Sequence, residues 1–246
     1  MPAALEWQIA KVTRITPETP QTKTLTLALP AWVAHEPGQH YDVRLTAPDG
    51  YRTERSYSVA SEPERAGEID LTVERIADGE VSPYLDDVLM PGDQLEVRGP
   101  IGGYFVWDVA IGGPLLLIGG GSGVVPLMAM LRHRAAQHSL IPTRLLYSSR
   151  TADEIIYRAE LDRLASADAA LKVIFTLTRG APPGWTGYQR RIDAAMVREV
   201  MQSLGNDIRA YVCGPTLLVE AVSAALVAVG LPPDRVHTER FGPTGT

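Results

Sequence analysis

The sequence predicts two architectures in tandem: an N-terminal six-stranded antiparallel β-barrel over residues 1–110, then a doubly wound five-stranded parallel sheet over residues 111–246. Three observations predict it. Before residue 110, short runs of alternating polar and apolar residues follow one another with no room for crossover helices, which is an antiparallel pattern. After residue 113, near-continuous apolar runs alternate with helical segments, as in a parallel sheet covered on both faces. The change of texture is abrupt and falls near residue 110.

The barrel strands are read in order as EWQIAKVTRIT (6–16), TKTLTLALP (22–30), QHYDVRLTAP (39–48), RSYSVAS (55–61), EIDLTVERIA (68–77) and DQLEVRGP (93–100). Val, Leu, Thr and Tyr dominate them, and Pro37-Gly38, Asp49-Gly50 and Pro91-Gly92 supply the turns. One short amphipathic helical segment, VSPYLDDVL (81–89), interrupts the series. GPIGGYF (99–105) reads as a closing turn whose glycines let the two halves approach.

In the second half, PLLLIGGG (114–121) is a buried strand and VVPLMAMLRHRAAQ (124–137) a helix. TRLLYSS (143–149), ADEIIYRAELDRLAS (152–166) and LKVIFTLT (171–178) continue as strand, helix and strand. DAAMVREVMQSL (193–204) is a helix, IRAYVCG (208–214) a strand, PTLLVEAVSAALVAVG (215–230) a helix and RVHTERF (235–241) the last strand. APPG (181–184) is a loop within this half.

Composition narrows the function classes. With 246 residues and 45% hydrophobic content, the chain buries a substantial core. No apolar run approaches the ~20 residues a bilayer span needs. The opening MPAALEWQIAKV lacks a basic segment followed by an apolar one, so neither leader nor anchor is expected and the cytoplasm is the expected compartment. A single cysteine, Cys213, excludes an internal disulfide, a multi-cysteine zinc site and a four-thiolate iron–sulfur cluster. His133 and His138 are five apart on a helix, off one face, so no metal site is expected. A net charge of −6 without a basic run argues against nucleic acid as a partner.

Two stretches of the second half point to a ligand. LLLIGGGSGVVP (115–126) runs from a strand through Gly121, Ser122 and Gly123 into a helix with Pro126 in its first turn, leaving backbone N–H groups and the positive helix end facing outward for an anion. Proline stands where the third glycine of a dinucleotide fingerprint would be, so a ligand-free tight turn is the competing reading. At the end of the next strand, Ser148, Ser149 and Arg150 replace the acidic residue that would hold a ribose 2′-hydroxyl. Hydroxyls and guanidinium suit a 2′-phosphate, and Arg158 and Arg179 lie within reach of the same sheet edge. An Arg158 to Asp162 pair one helical turn apart is the plainer alternative.

In the first half, Arg55, Ser56 and Ser58 surround Tyr57 in a predicted strand, which alone would be a solvated edge. RSYS, then GEVS 24 residues later, then GGSGVVP, CGP and a C-terminal ERF together resemble the ferredoxin–NADP(+) reductase superfamily, in which a flavin-binding barrel precedes a nicotinamide-binding domain. The resemblance covers nearly the whole chain.

It implies an enzyme holding FAD and oxidising NADPH, with NADH the alternative donor. Arg55 and Ser56 would belong to the flavin site with Tyr57 against the isoalloxazine ring, Arg55 on the pyrophosphate and Ser58 near N5. Gly79, Val81 and Ser82 would offer the pyrophosphate backbone N–H groups and a hydroxyl, a simple N-capping serine being the local alternative. Val73 and Arg75 would contribute main-chain contacts along the flavin. Gly121, Ser122, Gly123, Ser149, Arg150, Arg158, Arg179, Gly214 and Pro215 would hold the nicotinamide dinucleotide. Cys213 and Glu239 would position the nicotinamide, and Phe241 would cover the flavin until it moves aside. The sequence departs from the plant-type pattern in having Phe241 where a tyrosine stands and GPTGT (242–246) after it.

The implied chemistry is a direct hydride transfer in which the protein supplies alignment. The expected acceptor is a separate redox protein, such as ferredoxin, flavodoxin or an oxygenase component. An electron-relay subunit of a larger complex, or a reductase of free flavin, quinone or ferric chelate, are the other readings.

Overall fold

The strands of the first half are β1 (Gln8–Thr19), β2 (Thr22–Ala28), β3 (His40–Thr46), β4 (Arg52–Ser58), β5 (Glu68–Glu74) and β6 (Gln94–Ile101), with α1 (Ser82–Asp87) between the last two. They come from a computed structural model that describes residues 5–202 and 204–242. All pair antiparallel in the order β4-β3-β6-β1-β2-β5. The end strands then meet: Val59, just past β4, bridges Leu71 of β5, and the Ala60 N–H donates to the Asp70 carbonyl at 2.8 Å. The sheet is therefore curled into a barrel. Alternation fills it, because Ala10, Val12, Leu25, Leu27, Tyr41, Val43, Ile69, Leu71, Leu95 and Val97 all point inward and are at most 2% exposed. Val81, Leu85 and Leu89 of the α1 segment cap the same core.

The second half comprises β7 (Leu115–Gly120), α2 (Val124–Ala136), β8 (Thr143–Ser149), α3 (Arg158–Ala167), β9 (Leu171–Leu177), α4 (Ala194–Met201), β10 (Arg209–Pro215), α5 (Thr216–Ala228) and β11 (Val236–Phe241). Its strands are all parallel, in the order β11-β10-β7-β8-β9. Successive residues feed opposite cores. Leu115, Leu117, Leu145 and Tyr147 pack with α2 and α3, while Leu116, Ile118, Leu146 and Val212 pack with α4 and α5. The chain winds outward in opposite directions from β7, so the crevice between the ends of β7 and β10 is the switch point where such sheets bind ligands.

Two expectations are corrected. The helix expected over 152–166 begins only at Arg158, because Tyr157 adopts φ +59° and breaks it. That break lets the Tyr157 hydroxyl reach Thr72 of the barrel, while the Tyr147 hydroxyl accepts from the Ile156 N–H at 3.2 Å. The glycine at 99 serves the barrel rather than the junction: a Cβ there would lie 2.5 Å from the Tyr41 ring. One part of the junction is made by aromatic residues. The Tyr104 hydroxyl donates to the Val236 carbonyl at 3.4 Å, and Phe105 meets Tyr211 edge-on at 5.4 Å.

The seam between the halves is polar and buried. Thr24 hydrogen-bonds Thr72 at 2.8 Å, and Thr26 donates to Asp70 at 2.7 Å. Arg132 of α2 reaches the Ala60 carbonyl at 2.8 Å and holds Glu160 of α3 through two hydrogen bonds of 3.0 and 2.6 Å. Removing one member strands the others in low dielectric. Arg132→Met is thus expected to destabilise the chain by about 2 kcal/mol, the worth of charged hydrogen bonds lost from a partly buried site. A denaturant midpoint equal to wild type would contradict it.

Candidate functional site

Two strand-to-helix turns form the floor of the switch-point crevice. β7 ends in Gly119-Gly120 and turns through Gly121–Gly123 into α2; β10 ends in Cys213-Gly214-Pro215 and runs into α5. The turns touch backbone to backbone, since a Cβ on Gly123 would lie 2.2 Å from the Cys213 carbonyl oxygen. Gly121 has φ +55° and nothing within 4 Å of where its Cβ would stand, so the turn is open above. Its N–H groups and the start of the 13-residue α2 are shaped for an anion. Ser148 lies in register beside Gly120.

The wall of the crevice is built from both halves. Cys213 of β10 is 2% exposed and stands in register with Glu239 of β11. Burial, and then the neighbouring Glu239 charge, push its thiol well up. Burial likewise lifts the Glu239 carboxyl from 4.5 to about 7, against the opposing effect of a hydrogen bond from the Ser58 hydroxyl. Ser58 ends β4 of the barrel, so three predicted residues from three strands and both sheets meet at one point. Phe241 closes β11 opposite Pro215 and packs on the adjoining core; residues 243–246 of the predicted tail lie outside the described residues.

The rest of β4 runs away from this point along the barrel. Tyr57 is half-buried, and burial pushes its phenol up to about 12. Arg55 shares its face and is 55% exposed, with its guanidinium 3.8 Å from Glu80. Ser56 is on the other face, where its hydroxyl donates to Asp42 at 2.7 Å, so the structure does not bring it into the group. Gly79, Val81 and Ser82 turn toward β4 through Glu80. The Ser82 hydroxyl does not cap α1; it accepts from the Ile76 N–H at 3.0 Å and so fixes the turn. Val73 is buried in β5. The Arg75 N–H is committed to the Gln21 carbonyl at 2.8 Å and its guanidinium to Asp87, leaving its carbonyl for any main-chain contact.

At the far edge, Ser149 is buried, and Arg150 and Arg179 are exposed and joined by a backbone hydrogen bond of 2.9 Å. Arg158 lies on the helix that follows. It pairs with Asp162 at 2.7 Å and lies over the rings of Phe175 and Trp185, 4.4 and 5.5 Å from their centroids.

A family model described as an oxidoreductase FAD-binding domain matches residues 9–106, and one described as an oxidoreductase NAD-binding domain matches residues 117–224. The chain is 34% identical over 211 residues to ferredoxin–NADP reductase B of Sorangium cellulosum, covering 84% of this chain and 85% of that one. The chain belongs to the ferredoxin–NADP reductase family. It is also 32% identical over 211 residues to the glycine betaine monooxygenase reductase subunit of Chromohalobacter salexigens, across 85% of this chain and 56% of that protein. It therefore spans little more than half the length of that relative. The FAD/NAD-binding domain of nitric oxide dioxygenase from Vibrio cholerae superposes with a TM-score of 0.84 at 24% identity, over 96% of this chain and 99% of that one, a likeness of fold. Among the described residues, no helix is long and apolar enough to cross a membrane.

The chain's residues fit both groups that its two matching domain families are named for. An exposed guanidinium beside a fixed turn and a half-buried tyrosine suit the diphosphate and ring of FAD. The open glycine turn with Arg150 and Arg179 beyond it suits a nicotinamide dinucleotide. Sequence reasoning missed Glu80 and the Phe175–Trp185 pair. Trp185, an aromatic directly after a Pro-Pro-Gly loop, was the available signal for that pair.

Glu239 carries a linkage consequence. Its carboxyl is raised in the folded chain, so the stability this proton gives is fully present below pH 4.5 and is lost as pH rises to about 7. Glu239→Gln has no such loss. At pH 8 the variant is expected to be more stable than wild type by up to about 3 kcal/mol, with the gap closing by about pH 4.5. Parallel urea melts at the two pH values check it; a gap that does not change with pH would contradict it.

Proposed function

We propose that this reductase takes a hydride from NADPH onto FAD and passes electrons one at a time to a separate acceptor such as ferredoxin, flavodoxin or an oxygenase component. The observation that carries the reading is the meeting of Ser58, Cys213 and Glu239, contributed by both sheets, at the mouth of the glycine-turn crevice. Bound FAD would supply the conversion of a two-electron donor into single-electron steps. Everything else is positioning. Residues 1–110 form the flavin domain and 111–246 the nicotinamide domain, with Cys213 and Glu239 shaping the nicotinamide pocket between them.

Arg55 and the 79–82 turn would hold the diphosphate, Tyr57 would pack against the ring system, and Val73 and Arg75 would offer it main-chain groups. Ser58 would present to the flavin the hydroxyl it shares with Glu239. Neither Cys213 nor Glu239 needs to act covalently: the thiol is held protonated by burial, and the carboxyl gains or loses its proton near neutrality. Gly121, Ser122, Gly123, Gly214 and Pro215 would form the dinucleotide floor, and Phe241 would cover the flavin, where the nicotinamide must enter, until it moves aside. Ser149, Arg150 and Arg179 receive the 2′-phosphate, with Arg158 at its aromatic shelf. The oxygenase reductase relatives support a protein acceptor, and the cytoplasm is the compartment this chemistry suits.

The test is anaerobic. Protein loaded with FAD should be yellow and should bleach faster with NADPH than with NADH. A colourless protein that cannot be reconstituted overturns the reading, while faster bleaching by NADH overturns the arginine assignment alone. Arg150→Ala is expected to raise the KM for NADPH about 10- to 100-fold, the worth of a charge-assisted phosphate contact, and to leave that for NADH unchanged. Equal effects on both donors would contradict it.

A further inference from the structure

Glu80 is the one residue of the 79–82 turn whose side chain crosses to β4. Its carboxylate accepts from the Thr53 hydroxyl at 3.1 Å and from the Tyr51 hydroxyl at 3.4 Å, and lies 3.8 Å from the Arg55 guanidinium. Thr53 and Arg55 share one face of β4, so three side chains of one hairpin converge on it. The turn cannot drift away, because the Ser82 hydroxyl and the Gly79 N–H are both tied to Ile76, each at 3.0 Å.

Glu80 thus places its carboxylate 3.8 Å from the guanidinium assigned to the diphosphate. Two anions cannot share one exposed arginine without mutual repulsion, and Arg55 has no second acidic partner among the described residues to release. Resting on the FAD reading above, we propose that Glu80 is an internal anion that competes with the FAD diphosphate for Arg55, so that this reductase holds its flavin less tightly than its RSYS and GEVS motifs alone would allow. Glu80 is a positioning residue in this role. Its contacts with Thr53 and Tyr51 hold its carboxylate beside Arg55, whose guanidinium also donates to the Glu54 carbonyl at 2.7 Å, and on this proposal a bound diphosphate displaces that carboxylate. Both side chains are more than half exposed, so the effect is that of one solvent-screened charge.

The experiment is an FAD titration of the flavin-stripped full chain, read by quenching of flavin fluorescence, at low and high salt. Glu80→Gln is expected to lower the Kd for FAD roughly three- to tenfold at low salt, the size of one screened unit charge at this range, with the gain shrinking in 0.5 M salt. Riboflavin, which has no phosphate, is expected to bind both proteins equally. If wild type binds FAD and Glu80→Gln binds it equally or more weakly, the proposal is overturned while the FAD reading stands. An equal gain for riboflavin places the effect away from the phosphates and overturns it as well. Wild type that binds no FAD overturns the FAD reading, and this inference with it. Exposure of residue 80 keeps the variant folded, which far-UV circular dichroism verifies.

Discussion

Gly123→Ala is expected to lower the melting temperature by on the order of 10 °C and to abolish bleaching by NADPH while leaving FAD bound. The reason is geometric. The new methyl would lie 2.2 Å from the Cys213 carbonyl oxygen and 2.5 Å from its carbon, both backbone atoms held in the β7–β10 ladder. No rotamer relieves a clash with backbone, so the turns at the ends of β7 and β10 must part. Overpacking of this kind costs about 3 kcal/mol, and each kcal/mol is worth about 2–4 °C in a chain of this size. Parting the turns also displaces Cys213 from Glu239 and opens the dinucleotide floor. Scanning fluorimetry and anaerobic stopped flow on the same preparation check both effects; a variant that melts and bleaches like wild type would show that the two turns are not in contact. Gly121→Ala separates the causes, since nothing stands within 4 Å of its methyl and only its positive φ is strained.

Arg55→Ala should give a folded protein that purifies without colour. The guanidinium is exposed and its ion pair with Glu80 is long, so its removal costs the fold little. A charged hydrogen-bond donor to a phosphate is worth about 1.5–3 kcal/mol, and FAD affinity should fall about 10- to 100-fold. Binding of NADPH, which rests on the other half of the chain, should be unchanged by equilibrium fluorescence titration. Loss of both cofactors together would mean that the variant had unfolded; retention of colour would remove Arg55 from the diphosphate site.

The two halves were legible because their signals are local. Alternation in the first half of β1 and in β6 and continuous burial in β7 and β8 follow directly from whether one face or two are covered. The glycine turn after β7 was legible for the same reason, as a property of consecutive residues. The start of α3 was not. Helical periodicity runs on through residues 152–157, and what stops it is Tyr157 turning its hydroxyl to Thr72 in the other half. Nothing within residues 152–166 records that partner.

The site divides along the same line. Arg55 and Tyr57 sharing a face, and Ser56 opposing them, follow from a period of two, and the family resemblance pointed to Ser58, Cys213 and Glu239 one by one. That the Ser58 hydroxyl reaches the Glu239 carboxyl, and that burial lifts that carboxyl to about 7, depended on how the barrel docks on the parallel sheet. Likewise the seat of Arg158 over the rings of Phe175 and Trp185 could not be read from its position beside Arg150 and Arg179 in the sequence. By itself the sequence determined the backbone of most stretches, the start of α3 excepted, and the turn through Gly121, because those are contests among neighbours along the chain. Only the tertiary structure decided which polar side chains would be buried and which would meet, because desolvation and contact are set by surfaces that come together from distant parts of it.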